Sequence, residues 1–149
     1  MILAIDPGTT QSGWVLMDGR EVLASGVNVN EYVVGLVVGS GTSRLAIEYF
    51  EPRGMSVAQE SIDTVFWSGR FAQASHKPEA VELIQRRRVK SHICGSQKAN
   101  DANIRRAIID LYGGDSAIGK KASPGPLYGV TSHAWQALAV ALTAMEGST

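Results

Sequence analysis

The sequence predicts an α/β fold: a mixed five-stranded sheet, made of a three-strand meander plus parallel strands, flanked by helices. Three observations carry this. Apolar runs of strand length crowd the first fifty residues. Asp18-Gly19 between two of them is a strong two-residue hairpin signal. Beyond residue 56, apolar residues at helical spacing alternate with one further short strand, which is a crossover pattern.

Residues 1–6 (MILAID) form a short apolar run that ends in a carboxylate before the Pro7-Gly8 turn, as a buried strand does. Residues 13–17 and 21–29, joined at Asp18-Gly19, complete the meander. Residues 32–38 carry conflicting cues in Val-Val-Gly-Leu-Val-Val and are read as a short helix. Residues 44–50 (RLAIEYF) form a fourth strand with Glu48 in its interior. In 56–74, Val57, Ile62, Val65, Phe66, Gly69 and Phe71 recur at helical spacing after the Pro52 and Gly54 loop. Residues 80–84 are a fifth strand after Pro78. Residues 96–112 are helical, with Ile104, Ile108 and Leu111 on one face and Gly113-Gly114 as the stop. Residues 113–129, rich in Gly, Lys, Ser and Pro, are expected to be a loop that is mobile or ordered only on binding. Residues 131–145 close the chain as a helix with Ala134, Leu138, Leu142 and Met145 near one stripe. A single domain over 1–149 accommodates all of this.

Composition removes several classes of function. With 44% hydrophobic and 19% charged residues the chain can close a core. It has no apolar stretch near the roughly 20 residues a membrane span needs. No secretory signal pattern opens it, which predicts a cytoplasmic protein. Cys94 stands alone, so neither a disulfide framework nor a cysteine-rich zinc site is available. The net charge of zero is unevenly spread. Between residues 86 and 106, Arg86, Arg87, Arg88, Lys90, Lys98, Arg105 and Arg106 face one acid, Asp101. Such a segment is either a phosphate-contacting face or a solvated helix surface.

Two carboxylates stand out for their surroundings. Asp6 ends a buried strand, and Glu48 shares a strand face with Ala46 and Phe50. If the first and fourth strands are neighbours, the two acids meet across about 5 Å. Acids that close repel unless a proton or a divalent cation lies between them. An oxygen-rich site of that kind suits Mg²⁺ or Mn²⁺. The alternative is that Glu48 pairs with a base such as Arg44 or with a helix terminus. His133, at the start of the last helix, is either a structural residue or part of the same site. His76 and His92 have weaker cases. Asp101, in a first helical turn, has an ordinary capping role open to it.

The runs Ile2-Leu3-Ala4-Ile5-Asp6-Pro7-Gly8, Ala46-Ile47-Glu48 and His133-Ala134-Trp135-Gln136-Ala137-Leu138-Ala139-Val140-Ala141 resemble, in the same order, three blocks of RuvC-type Holliday junction resolvases. Three further stretches look more like the phage-encoded branch of that family: Gly69-Arg70-Phe71, Val89-Lys90-Ser91-His92-Ile93-Cys94-Gly95 and Pro124-Gly125-Pro126-Leu127-Tyr128-Gly129. The resemblance implies an RNase H-like fold, a homodimer, branched DNA as partner, and Mg²⁺-dependent phosphodiester hydrolysis with Mn²⁺ as a substitute. It implies that Asp6 and Glu48 are catalytic metal-binding acids. The family commonly closes with Asp-x-x-Asp, sometimes with His first, where this chain has His133-x-x-Gln136. His133 is then a ligand or proton carrier, Gln136 offers at most a neutral amide oxygen, and Asp101 is the candidate to make up the missing acid. Lys98 lies near where the family places a lysine close to the scissile phosphate. Two-metal logic has Asp6 bridging two ions with Glu48 completing one site. Arg86, Arg87, Arg88, Lys90, Lys98, Arg105, Lys120 and Lys121 become the expected DNA contacts. Phe66, Trp67 and Phe71 either stack on unpaired bases or pack in the core. The helix from Val57 to Phe71 is one possible dimer interface.

Three other readings compete. Asp6-Pro7-Gly8-Thr9-Thr10-Gln11-Ser12-Gly13 also looks like the phosphate loop of the actin, Hsp70 and sugar-kinase superfamily, which needs a second such hairpin that this chain lacks. Gln136 keeps open a catalytically degenerate module that binds branched DNA without cutting it. A general RNase H-like nuclease acting on RNA–DNA hybrids or flaps would share the chemistry and differ in substrate.

Overall fold

A computed structural model describes residues 1–147. Five strands form one sheet in the order β3-β2-β1-β4-β5. They are β1 (Ile2–Asp6), β2 (Gln11–Asp18), β3 (Glu21–Val29), β4 (Leu45–Tyr49) and β5 (Glu82–Gln85). The first three pair antiparallel, and β4 and β5 run parallel to β1. The helices are α1 (Asn30–Gly39), α2 (Gln59–Ala74), α3 (Arg86–Cys94), α4 (Asp101–Leu111) and α5 (Ala134–Glu146).

Strand alternation sorts the sheet's two faces. Ile2, Ala4, Val15, Met17, Ala46 and Ile84 pack under α3, α4 and α5. Leu3, Ile5, Trp14, Leu45 and Ile47 pack on the other side against Val33 and Val37 of α1 and Phe71 of α2. The β1 strand is therefore apolar at successive positions because both its faces are covered. The α5 helix is buried at every position from Ala134 to Ala144, sandwiched between the sheet and helices α3 and α4. None of the helices among the described residues is long and apolar enough to cross a membrane.

Two segments depart from the sequence-based expectation. The basic run opens with a helix, α3, directly after β5, and the following helix starts only at Asp101. Asn100 caps it by accepting from the Asn103 backbone N–H at 2.8 Å, while the Asn103 side chain accepts from the Asn100 N–H at 3.0 Å. The 113–129 segment is no mobile loop. It holds a one-turn helix at Asp115–Ala117 and a small hairpin of β6 (Gly119–Lys120) and β7 (Ser123–Pro124). Ala117 and Leu127, 2% and 0% exposed, anchor it in the core, so its glycines and prolines serve tight turns rather than flexibility.

Candidate active site

The parallel pairing of β1 with β4 sets Ala4 beside Ala46 and Ile5 beside Ile47. One step further along both strands brings Asp6 beside Glu48, at the carboxyl ends of the two central strands and on the face covered by α5. Open α/β sheets bind ligands at this edge. Both carboxyl groups are mostly buried, with side chains 13% and 12% exposed. Burial first, then the Glu48 charge, hold the Asp6 carboxyl well above the usual carboxylate range. Burial also pushes Glu48 up, against the pull of Arg86.

The approach to Asp6 from the other side is made by His133, whose Nδ1 lies 3.1 Å from Asp6 Oδ2. His133 stands immediately before α5, and Ser132 before it takes a left-handed backbone with φ 49°. That conformation is uncommon for a residue with a side chain and tends to gather at functional sites. The loop after Asp6 is pinned by a buried network that the sequence did not announce. Asn30, 0% exposed, donates from Nδ2 to the Gly8 carbonyl at 3.0 Å and accepts from Ser12 Oγ at 2.6 Å. Ser12 Oγ in turn accepts from the Gly8 N–H at 3.1 Å. A polar asparagine in the first turn of an apolar helix is the one signal that could have flagged it.

Arg86 is the next surprise. It follows Ile84 by two positions and points inward. Its Nη1 donates to Glu48 Oε1 at 3.3 Å, and its Nη2 pairs with Asp101 Oδ1. Glu48 thus has a basic partner, as the alternative reading allowed, but it is Arg86 at the start of α3; Arg44, the example given there, pairs with Glu82 at 3.1 Å. Asp101 therefore joins the cluster through Arg86, alongside its place in the first turn of α4. Two buried oxygens at this centre have no hydrogen-bond partner: Glu48 Oε2 and Gln136 Oε1. Gln136 is 4% exposed and lines the same hollow as Asp6, Arg86, Asp101 and His133.

The predicted phosphate contacts divide by placement. Arg86, Arg87 and Lys90 line an open cleft of about 320 Å³ beside Asp6 and Glu48, together with Arg53 and Gln97, which the sequence reading missed. Arg87 is also paired with Glu51 at 3.1 Å. Arg105 lies over the Trp135 ring, beside His133 and Gln136. Lys98 does not join the acids. It lines a separate hollow with Arg106 and Asp110. Arg106 is tied to Asp110 and Asp115 at 2.6 and 2.8 Å. Arg88 is exposed and lies against Gly147. Lys120 and Lys121 are exposed on the small hairpin, outside the cleft. Phe71 is a core residue, whereas Phe66 is 65% exposed.

Among the described residues, no three His, Cys, Asp or Glu side chains are grouped as a ready metal-ligand set. The donors nonetheless suit a hard divalent cation: two buried carboxylates, one amide oxygen and two of their oxygens without partners. The Arg86 guanidinium lies between two of the acids.

The sheet order, the helices on both faces and the acids at the strand ends define an RNase H-like fold. No protein-family model and no curated protein sequence matches the chain. Among solved structures, the fold is similar to that of Thermus thermophilus RuvC, with a TM-score of 0.66 and 20% identity over 99% of this chain and 96% of that one. The structure of T. thermophilus RuvC in complex with a Holliday junction substrate matches with the same figures.

Proposed function

We propose that the chain is a metal-dependent, structure-selective endonuclease that resolves four-way and related branched DNA, acts as a homodimer, and belongs to the phage-encoded branch of such enzymes. The observation that carries this is Asp6 and Glu48, side by side and largely buried at the strand ends, opening onto a cleft lined by Arg53, Arg87 and Lys90. A two-fold assembly suits a four-way junction because it supplies two matched sites for two symmetric cuts.

Asp6, Glu48 and the Gln136 amide oxygen would hold Mg²⁺ or Mn²⁺, two ions per site, with His133 and Asp101 at the margin. Bound there, a divalent cation supplies charge that acidifies water and steadies the leaving oxygen. The chain's own residues do the rest. Lys90, Arg53 and Arg87 fix the phosphate backbone in the cleft without reading bases. Water oxygen attacks phosphorus, the bond from phosphorus to the leaving oxygen breaks, and that oxygen ends protonated. His133, with Nδ1 on Asp6, can carry the water's proton at Nε2. Lys98 lines a different hollow, with Arg106 and Asp110, and is given no role in this reading.

Gln136 favours a second reading, a module that binds branched DNA and does not cut, since an amide brings no negative charge. A cleavage assay on a synthetic four-way junction, with linear duplex beside it, in Mg²⁺, Mn²⁺ and EDTA separates the two. Paired, metal-dependent nicks that spare the duplex support the nuclease. Tight junction binding with no cut in either metal supports the binding module.

A further inference from the structure

Resting on the metal-site reading above, we infer that Arg86 is a built-in substitute for the divalent cation, so that metal enters only by displacing its guanidinium. The guanidinium occupies the place between Glu48 and Asp101, contacting a carboxyl oxygen of each. Beside it lie Asp6, whose carboxyl feels both Glu48 and Arg86, and the unpartnered Gln136 oxygen in a side chain 4% exposed. Buried carboxylates such as those of Asp6 and Glu48 are costly to ionise without a nearby cation, whereas Asp101, 61% exposed, holds the guanidinium from the solvent side. Arg86 meets that need from within the chain, and its planar fork holds two carboxylates at once.

The position makes the exchange feasible. Arg86 is the first residue of α3 and its side chain is 38% exposed, so the head group can rotate into the cleft without disturbing the helix. Arg87, Lys90 and Arg53 line that cleft, where phosphate is the natural new partner for a displaced guanidinium. With Arg86 removed, the oxygens of Glu48 and Asp101 lose their internal cation. Divalent metal then binds without competition, while the metal-free protein carries an uncompensated acid cluster.

The test compares the wild-type chain with Arg86→Gln in two measurements: Mn²⁺ affinity by calorimetry without DNA, and melting temperature in EDTA. The expected result is a crossover. R86Q binds Mn²⁺ about tenfold more tightly, as loss of a competing charge at ion-pair distance implies, yet melts lower in EDTA. Equal or weaker Mn²⁺ binding by R86Q, with wild type still binding, overturns the role of Arg86 and leaves the metal site standing. Mn²⁺ binding by neither protein overturns both. The arginine side-chain N–H resonances of the wild-type chain supply an independent readout should R86Q fold poorly. On Mg²⁺ titration, the Arg86 signal should shift saturably, with the same midpoint as metal binding. A signal that stays fixed while metal binds overturns the proposal.

Discussion

At the scale of single residues, the unusual feature is how much charge is kept out of water at one strand edge. Burial and mutual repulsion raise the Asp6 carboxyl, and burial raises Glu48. A carboxyl whose folded pKa exceeds its unfolded value adds stability that is fully present below the unfolded value, about pH 4, and is lost as pH rises through the folded one. Ionised Asp6 therefore costs the metal-free fold at neutral pH. Asp6→Asn should abolish metal-dependent cleavage and leave junction binding intact, which a parallel gel shift and nicking assay would read. In EDTA the same variant should melt above wild type, by about 2–4 °C for each kcal/mol relieved. That gap should widen from pH 4 to pH 8 in calorimetric melts, and a gap that stays constant or narrows would contradict the assignment. Both acids were legible in the sequence, because a carboxylate ending or interrupting an apolar run needs a reason. The pairing of Arg86 with Glu48 and Asp101 was not, because an arginine heading a run of three reads as a phosphate contact or a solvated surface. Only the register of β5 and α3 turns it inward.

At the scale of elements, the site depends on how closely β2 meets the start of α5. Gly13 pairs with Asp6 in the antiparallel register, and a Cβ at Gly13 would run into the His133 carbonyl. Gly13→Ala should cost about 1–3 kcal/mol as an overpacked contact and push His133 off Asp6, lowering the cleavage rate more than the junction affinity. Gly69→Ala is the matched control. It lies inside α2 with open space around it and should stabilise by about 0.5–1 kcal/mol with cleavage unchanged. Asn30→Ala would strand the Ser12 hydroxyl and the Gly8 carbonyl. It should cost about 1–3 kcal/mol in chemical denaturation and loosen the loop after Asp6, seen as faster amide exchange at Gly8. The strands were readable from apolar runs and turns, and α2 and α5 from length and periodicity, whereas the α1 segment, rich in Val with Gly inside it, gave conflicting cues. The α3 helix was hidden because its nine residues bury only Val89, too little for a periodic pattern. The 113–129 segment was misjudged because its turn chemistry resembles that of a flexible loop, while its two anchors, Ala117 and Leu127, are isolated in sequence.

At the scale of the whole molecule, a chain of zero net charge sets four of its cations, Arg53, Arg86, Arg87 and Lys90, around one cleft beside the acids, so the proposed DNA contacts can be tested one charge at a time. Lys90→Ala should reduce the salt dependence of junction binding by about one unit of slope in log Kd against log salt. Arg106→Ala, already neutralised by Asp110 and Asp115, should leave that slope unchanged in titrations at several salt concentrations. The centre also joins distant parts of the chain. Asp6 and His133 are 127 positions apart, and α5 is the piece that seals the sheet face beneath them. Contacts of such long range form late in folding, after the closure entropy of nearly the whole chain has been met. During synthesis the ribosome therefore delivers both carboxylates long before the helix that completes their surroundings. A nascent chain short of residue 134 carries an exposed apolar sheet face, so the paired acids acquire their surroundings in one step, as the closing helix docks.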